Sequence, residues 1–326
     1  MAELQRRSGK RRNPRIAAFL AGVGMLALLA VGDWMKGWQR SDGVSGASAA
    51  KEIVYDIGNG VKLTLCWCPA GSFLMGSPPG EAFRIENERQ HAVTLSRGFW
   101  MAKAETTQEQ WEAVMTGNPS AYKGERLPVD SVTWDEAKAF AAACTERLGS
   151  QGKLPAGCEF RLPTESQWEY TCRAGSPAAY SSGNDEAALG RAGWYAGNSV
   201  RKPSRWVGWL QSLPLIGGRI TASAPGGEPK RVGEKEENAF GLQDMHGNVW
   251  EWCEDWYGEY GEGAVTDPVG PQVGEYRVVR GGSWDDVAAW CRSAYRDRWG
   301  PGGRGWAQGF RVCLVPGPAA EPLAGE

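Results

Sequence analysis

A chain of 326 residues is long enough for one large domain or two small ones, and its hydrophobic fraction of 42% supplies an ordinary globular core. A formal net charge of −2, with Lys and Arg spread along the chain outside the N-terminus, argues against a nucleic-acid partner. The 45 glycines, 19 prolines and 17 tryptophans describe a loop-rich fold in which large rings fill the gaps left by irregular backbone.

Residues 1–15 carry Arg6, Arg7, Lys10, Arg11, Arg12 and Arg15 and precede an uncharged apolar stretch, 16–32. That stretch suits a short transmembrane anchor or a signal peptide cleaved after the small residues Ala30-Val31-Gly32. With either, the positive flank stays inside and everything after Asp33 is exported, to the periplasm or cell surface. Residues 33–51 read as a linker, 52–316 as the folded domain and 317–326 as a tail.

The domain opens with a hairpin, Ile53–Tyr55 and Val61–Leu65 around the turn Gly58-Asn59-Gly60. Residues 71–78 read as a strand ended by Ser-Pro-Pro, and 91–95 with 99–102 as a further strand pair in which His91 is a strand-end polar residue. Three capping boxes, Thr106 with Glu109, Thr133 with Glu136 and Thr164 with Gln167, predict helices over 109–115, 134–148 and 165–173. Their tryptophans sit on apolar faces and read as core anchors. The stretch 203–227 looks like an insertion folded back on the surface, and 257–274 is a Gly-rich loop.

Residues 238–256, NAFGLQDMHGNVWEWCEDW, fit neither the helical nor the strand period. Asp244, Glu251, Glu254 and Asp255 offer hard oxygens there, so the segment is either a buried tryptophan corner with solvated acids or a loop held by Ca²⁺.

This segment, together with FRLPTESQWEYTCRAG (160–175) and RVVRGGSW…CRSAYR…GFRV (277–312), resembles the formylglycine-generating-enzyme, or sulfatase-modifying-factor, family. The resemblance spans roughly 52–316 and implies an α+β, C-type-lectin-like fold, loop-rich with little regular secondary structure. It implies structural calcium at two places, Asn198 with the Ser199 carbonyl, and Glu251 with the carbonyls of Gly247 and Val249. It also implies disulfides, Cys172 to Cys291 and Cys144 (or Cys158) to Cys313, leaving Cys66, Cys68 and Cys253 unplaced.

Family members that oxidise a substrate cysteine hold copper on two thiols in the loop after the GGS motif. In this chain that interval, residues 284–290, contains no cysteine, so copper belongs only to a catalytic reading. Two histidines, His91 and His246, are too few for the three-histidine iron site of related sulfoxide synthases. Ser283, Trp252 and Arg296 match positions lining the family's substrate cleft. Two function classes follow: an oxidoreductase converting a sulfatase Cys or Ser to formylglycine, or a module holding a peptide, protein or glycan in that cleft. The loop 284–308, with five aromatic residues among Arg292, Arg296, Arg298 and Arg304, has either a recognition composition or that of core and turn residues.

Overall fold

The computed structural model describes residues 51–200 and 227–317. The apolar stretch 16–32, the linker before Lys51 and all of the insertion except Gly227 lie outside the described residues.

Fourteen short strands are described: β1 (Glu52–Gly58), β2 (Val61–Cys68), β3 (Gly71–Met75), β4 (His91–Leu95), β5 (Phe99–Ala102), β6 (Cys158–Arg161) and β7 (Gly193–Trp194) come first. They are followed by β8 (His246–Gly247), β9 (Trp250–Trp256), β10 (Val265–Thr266), β11 (Arg277–Arg280), β12 (Arg296–Trp299), β13 (Gln308–Gly309) and β14 (Cys313–Pro316). The helices are α1 (Gln108–Val114), α2 (Trp134–Ser150), α3 (Glu165–Arg173) and α4 (Glu186–Ala192).

The expected hairpin forms between β1 and β2, and its turn residues Gly58, Asn59 and Gly60 take φ of 132°, 55° and 81°, a conformation glycine adopts without steric cost. The expected pairing of 91–95 with 99–102 does not. β4 joins β3 and β10 in one sheet, whereas β5 lies between β2 and β14 in the sheet β1-β2-β5-β14-β6. The connecting turn passes the chain from one sheet to the other, and Gly98 lies where a Cβ would come within 2.3 Å of the Trp67 indole.

Alternation along this five-stranded sheet sorts the core into two parts. Leu63, Leu65, Trp100, Ala102, Phe160 and Leu314 face one cluster with α2, while Cys66, Cys68, Phe99, Met101, Cys313 and Val315 face a second cluster with α3. Capping boxes form at Thr133 and Thr164 as expected, but the first is one residue later, Thr107 with Gln110. Thr106 is instead buried, and its hydroxyl has no hydrogen-bond partner.

The aperiodic segment 238–256 ends in a true strand. β9 lies between β11 and β13 in a four-stranded sheet, and Trp250 through Cys253 are all buried. A strand covered on both faces carries no alternation, which is why no period marks it.

Candidate functional site

The loop after β11 is aimed by two consecutive glycines, Gly281 and Gly282, at φ of 97° and 75°. A Cβ on Gly282 would lie 2.8 Å from Cys291 Sγ and 3.0 Å from the Trp290 carbonyl, so the GGS motif answers both to conformation and to close approach. Beyond them the Ser283 hydroxyl donates to Asp286 Oδ2 at 2.6 Å and accepts from the Asp285 amide at 3.3 Å. Trp250 on β9 lies beside the Asp286 carboxyl and, like Ser283, favours its charged form. Burial nonetheless raises that carboxyl to about 6.

From this polar floor an aromatic run leads outward. Trp250 lies 6.0 Å from Tyr295, and Tyr295 stacks on Trp290 at 5.9 Å, where the Trp290 ring reaches solvent. Trp284 meets Tyr122 edge to face on the other side, and its backbone is tied down by Asn248 and by the Ser199 hydroxyl. The sequence motifs do not single out Tyr122 or Trp250 as neighbours of this loop. Trp250 carried the one available signal, a tryptophan flanked by buried positions immediately after the Gly-Asn turn.

Trp252, expected in the cleft, is 0% exposed and donates its indole N–H to the Val132 carbonyl at 3.0 Å. It belongs to the core, paired with Val279 across the ladder and packed with it in the first buried cluster. Arg296 is likewise not beside Ser283. Its Nε and Nη2 grip Glu165 at 2.8 and 2.6 Å, and Nη1 bonds the Gly258 carbonyl at 2.8 Å. Of the arginines in the 284–308 loop, Arg292 is also internal, bound to Glu81 and to both oxygens of Glu88. The loop is thus partly a structural clamp, and its exposed aromatic residues are Trp290 and Trp306.

Neither expected disulfide is present; all eight cysteines are buried thiols. Cys144 and its alternative Cys158 face the first core cluster and Cys313 the second, so the sheet separates them. Cys172 Sγ meets Ser293 Oγ at 3.6 Å and the His246 ring at 3.7 Å, while Cys291 Sγ points to the Val287 carbonyl. The residue facing Cys172 from the C-terminal segment is thus Ser293, two positions beyond Cys291. His246 accepts from the Ser181 amide on Nε2 and so presents its proton on Nδ1 to the Cys291 carbonyl at 2.8 Å. Burial lowers its pKa to about 4.

The calcium ligands expected from the sequence fare unequally. Asn198 closes its own turn, its Oδ1 accepting from the Tyr195 amide and its Nδ2 donating to the Gly193 carbonyl. Glu251 accepts from Arg311 on both oxygens, at 2.6 and 2.7 Å, and from the Trp168 indole at 2.7 Å. Beside it, however, Asp244 Oδ1 and both Glu105 oxygens are buried without partners. Three carboxyls against the single Arg311 guanidinium leave hard, uncompensated oxygens, a donor set that suits calcium. Among the described residues no three acidic side chains converge on one point, so the carbonyls of Gly247 and Val249 would have to complete such a site.

Asp255, held at the start of α3 by the Glu165 amide, is raised to about 7 by burial and by the Glu165 charge. Carboxyls raised in the folded state, Asp255 and Asp286, favour folding below their unfolded values near 4, and that contribution is lost as pH rises through about 6 and about 7. His246 works the other way, since its depressed pKa favours folding above about 6.5 and this is lost as pH falls towards about 4. With Asp244 also raised to about 6, three carboxyls outweigh the one histidine, so stability measured by urea unfolding is expected to fall by on the order of 3 kcal/mol between about pH 5 and about pH 8. Stability that rises across this interval would contradict the assignment.

The comparisons agree with this architecture. Residues 62–315 match the model of the sulfatase-modifying factor enzyme 1-like domain. The chaperone protein LppX of Paenibacillus barcinonensis is 31% identical over 252 residues, covering 68% of this chain and 81% of that protein. The formylglycine-generating enzyme of Streptomyces coelicolor is 29% identical over 293 residues, covering 78% and 91%. Among solved structures, Treponema denticola variable protein 1 superimposes with a TM-score of 0.67 at 28% identity, covering 81% of this chain and 99% of that one. PvdO from Pseudomonas aeruginosa gives a TM-score of 0.63 at 25% identity, covering 82% and 99%. With its α+β, C-type-lectin-like fold, its GGS loop and a family match that runs from β2 into β14, this chain belongs to the sulfatase-modifying factor, or formylglycine-generating-enzyme, family.

Proposed function

We propose that this chain is an exported family member that holds a peptide or protein ligand at the Ser283 loop without oxidising a cysteine. One observation carries the reading. The thiol beside that loop, Cys291, is 0% exposed, and burial, followed by the nearby Asp286 charge, pushes its pKa well above the usual thiol value. A thiol so placed is neither ionised nor reachable, and thiolate is the form that binds copper and reacts. Residues 284–290 supply no second sulfur. What remains is the floor of Ser283 and Asp286 with its aromatic run to Trp290, a surface suited to holding a side chain or sugar ring. The Paenibacillus relative is named a chaperone protein, which agrees with binding rather than turnover. The basic flank and the 16–32 stretch support placement outside the cytoplasm, with a membrane attachment if that stretch is retained.

The test is to incubate copper-loaded, aerated protein with a sulfatase-motif peptide and follow the peptide by mass spectrometry. The expected result is unchanged peptide. Conversion of its cysteine to an aldehyde would instead make the chain an oxidoreductase of the formylglycine-generating kind.

Calcium, in this reading, is structural and is held by Asp244 and Glu251 with the carbonyls of Gly247 and Val249; its role is to neutralise buried carboxylates. Removing it with EGTA is expected to lower the melting temperature, and adding it back in excess to restore about 3 kcal/mol of stability at a hundredfold excess over the dissociation constant. Identical melting curves with EGTA and with calcium would remove the ion from the account.

A further inference from the structure

At the opposite end of β9 from the Ser283 loop there is a cavity of about 290 Å³ roofed by the Gly-rich segment after Trp256. Trp284 is bonded to Asn248, seven residues before Asp255, so the rise of a strand separates the two places by roughly 20 Å. Asp255, 4% exposed, forms the cavity floor. Its Oδ2 accepts from the Glu165 amide at 2.9 Å, and among the described residues no protein group hydrogen-bonds its Oδ1. The roof passes directly over it. Gly270, at φ of 68°, lies where a Cβ would come within 3.0 Å of Asp255 Cβ and 3.2 Å of Oδ1.

Among the described residues Asp255 makes no ion pair, whereas its buried charged neighbours are used: Arg296 by Glu165 and by the Gly258 carbonyl, and Glu165 also by the Tyr260 hydroxyl at 2.9 Å. Glu259 stands exposed at the mouth, and His91 packs on the Tyr260 ring at 4.7 Å. The remaining walls are mostly apolar, from Met75, Val265, Pro268, Val269 and Pro271, and the Ser166 hydroxyl is turned to the Pro268 carbonyl. The carboxyl is raised to about 7, as expected of a buried acid lacking a cation.

We propose that this cavity is a binding site for a primary ammonium group on an aliphatic stem, with Asp255 Oδ1 accepting its hydrogen bond and the apolar walls covering the stem. A guanidinium fits less well, because it gives two parallel N–H groups and only one Asp255 oxygen is open. A hard metal ion fits less well again, since it needs six or more oxygens and the carboxylate oxygens of Glu165 beside Asp255 are already taken by Arg296 and Tyr260. The same ammonium chemistry is carried by a free alkylamine and by a lysine side chain of a partner protein.

The test uses the full chain and titration calorimetry at about pH 8, where Asp255 is ionised. The probes are n-butylamine, N-acetyl-lysine methylamide and n-butylguanidine. Saturable binding of one or both amines is expected. Preference for the lysine derivative points to a protein lysine, and preference for butylamine to a free amine. Asp255→Asn is expected to weaken binding about tenfold or more, the loss of one charge-assisted hydrogen bond, while leaving the fold intact because it removes an unpaired buried charge. Should that variant fail to fold, Val269→Trp, at a half-exposed wall position, is expected to fill the mouth and abolish binding with the polar floor untouched. No saturable amine binding at tens of millimolar, equal binding by Asp255→Asn, unchanged binding by Val269→Trp, or stronger binding of the guanidine would each overturn the proposal.

Discussion

Arg280→Met is expected to destabilise the domain by about 3–5 kcal/mol, read as a lower urea midpoint at unchanged slope. The guanidinium is 0% exposed and joins three parts of the chain. From β11 it pairs with Glu169 on α3, and it donates to the carbonyls of Ser293, Ala294 and Tyr295 at 2.8, 3.0 and 2.6 Å. Its charge is shared with Glu165, 3.7 Å away, and burial is outweighed by these acids, so its pKa is raised. Methionine matches the stem but leaves three carbonyls without a donor and Glu169 with only Arg173 and the Gly76 amide. Arg280→Lys keeps the charge without the fan of donors and is expected to fall between the two. A loss below about 1 kcal/mol for Arg280→Met would mean that water replaces these bonds, and the clamp would then have no structural weight.

Trp252→Ala is expected to be comparably damaging, about 3–5 kcal/mol, because it removes a fully buried indole between two sheets and strands the Val132 carbonyl. The position had been expected to line a ligand cleft, where truncation would weaken docking more than folding. The buried geometry reverses that ordering. Trp290→Ala, at a half-exposed ring on the outer end of the aromatic run, is the contrasting variant and should change stability by less than about 1 kcal/mol. If Trp252→Ala folded normally and lost only ligand binding, the core assignment would be wrong.

The features legible in the sequence are those whose chemistry acts over a few residues. The hairpin turn at Gly58-Asn59-Gly60 and the capping boxes at Thr133 and Thr164 need only their own neighbours, and they form where they were read. The first box slipped by one because Thr106 and Thr107 are adjacent and both have a polar residue three positions on; tertiary contacts choose Thr107 by burying its neighbour. Family motifs in the right order were also enough to place the fold, since they mark sites where a single residue type satisfies the backbone.

Tertiary structure decided which charged and sulfur-bearing groups meet. Arg280 and Glu169 are 111 positions apart, Arg292 and Glu88 are 204 apart, and Arg311 and Glu251 are 60 apart, so nothing in the linear pattern distinguishes these clamps from solvated surface charge. The same holds for Cys172, which could be matched to Cys291 by motif order but faces Ser293 once α3 is packed. Glu251 read as a metal ligand because a carboxylate in a turn-rich loop offers hard oxygens, and only the folded chain brings Arg311 onto it while leaving Asp244 Oδ1 without a partner. Local backbone preference is written residue by residue along the chain; the energy of a buried charge depends on what surrounds it in space, and that is settled only when distant segments close around it.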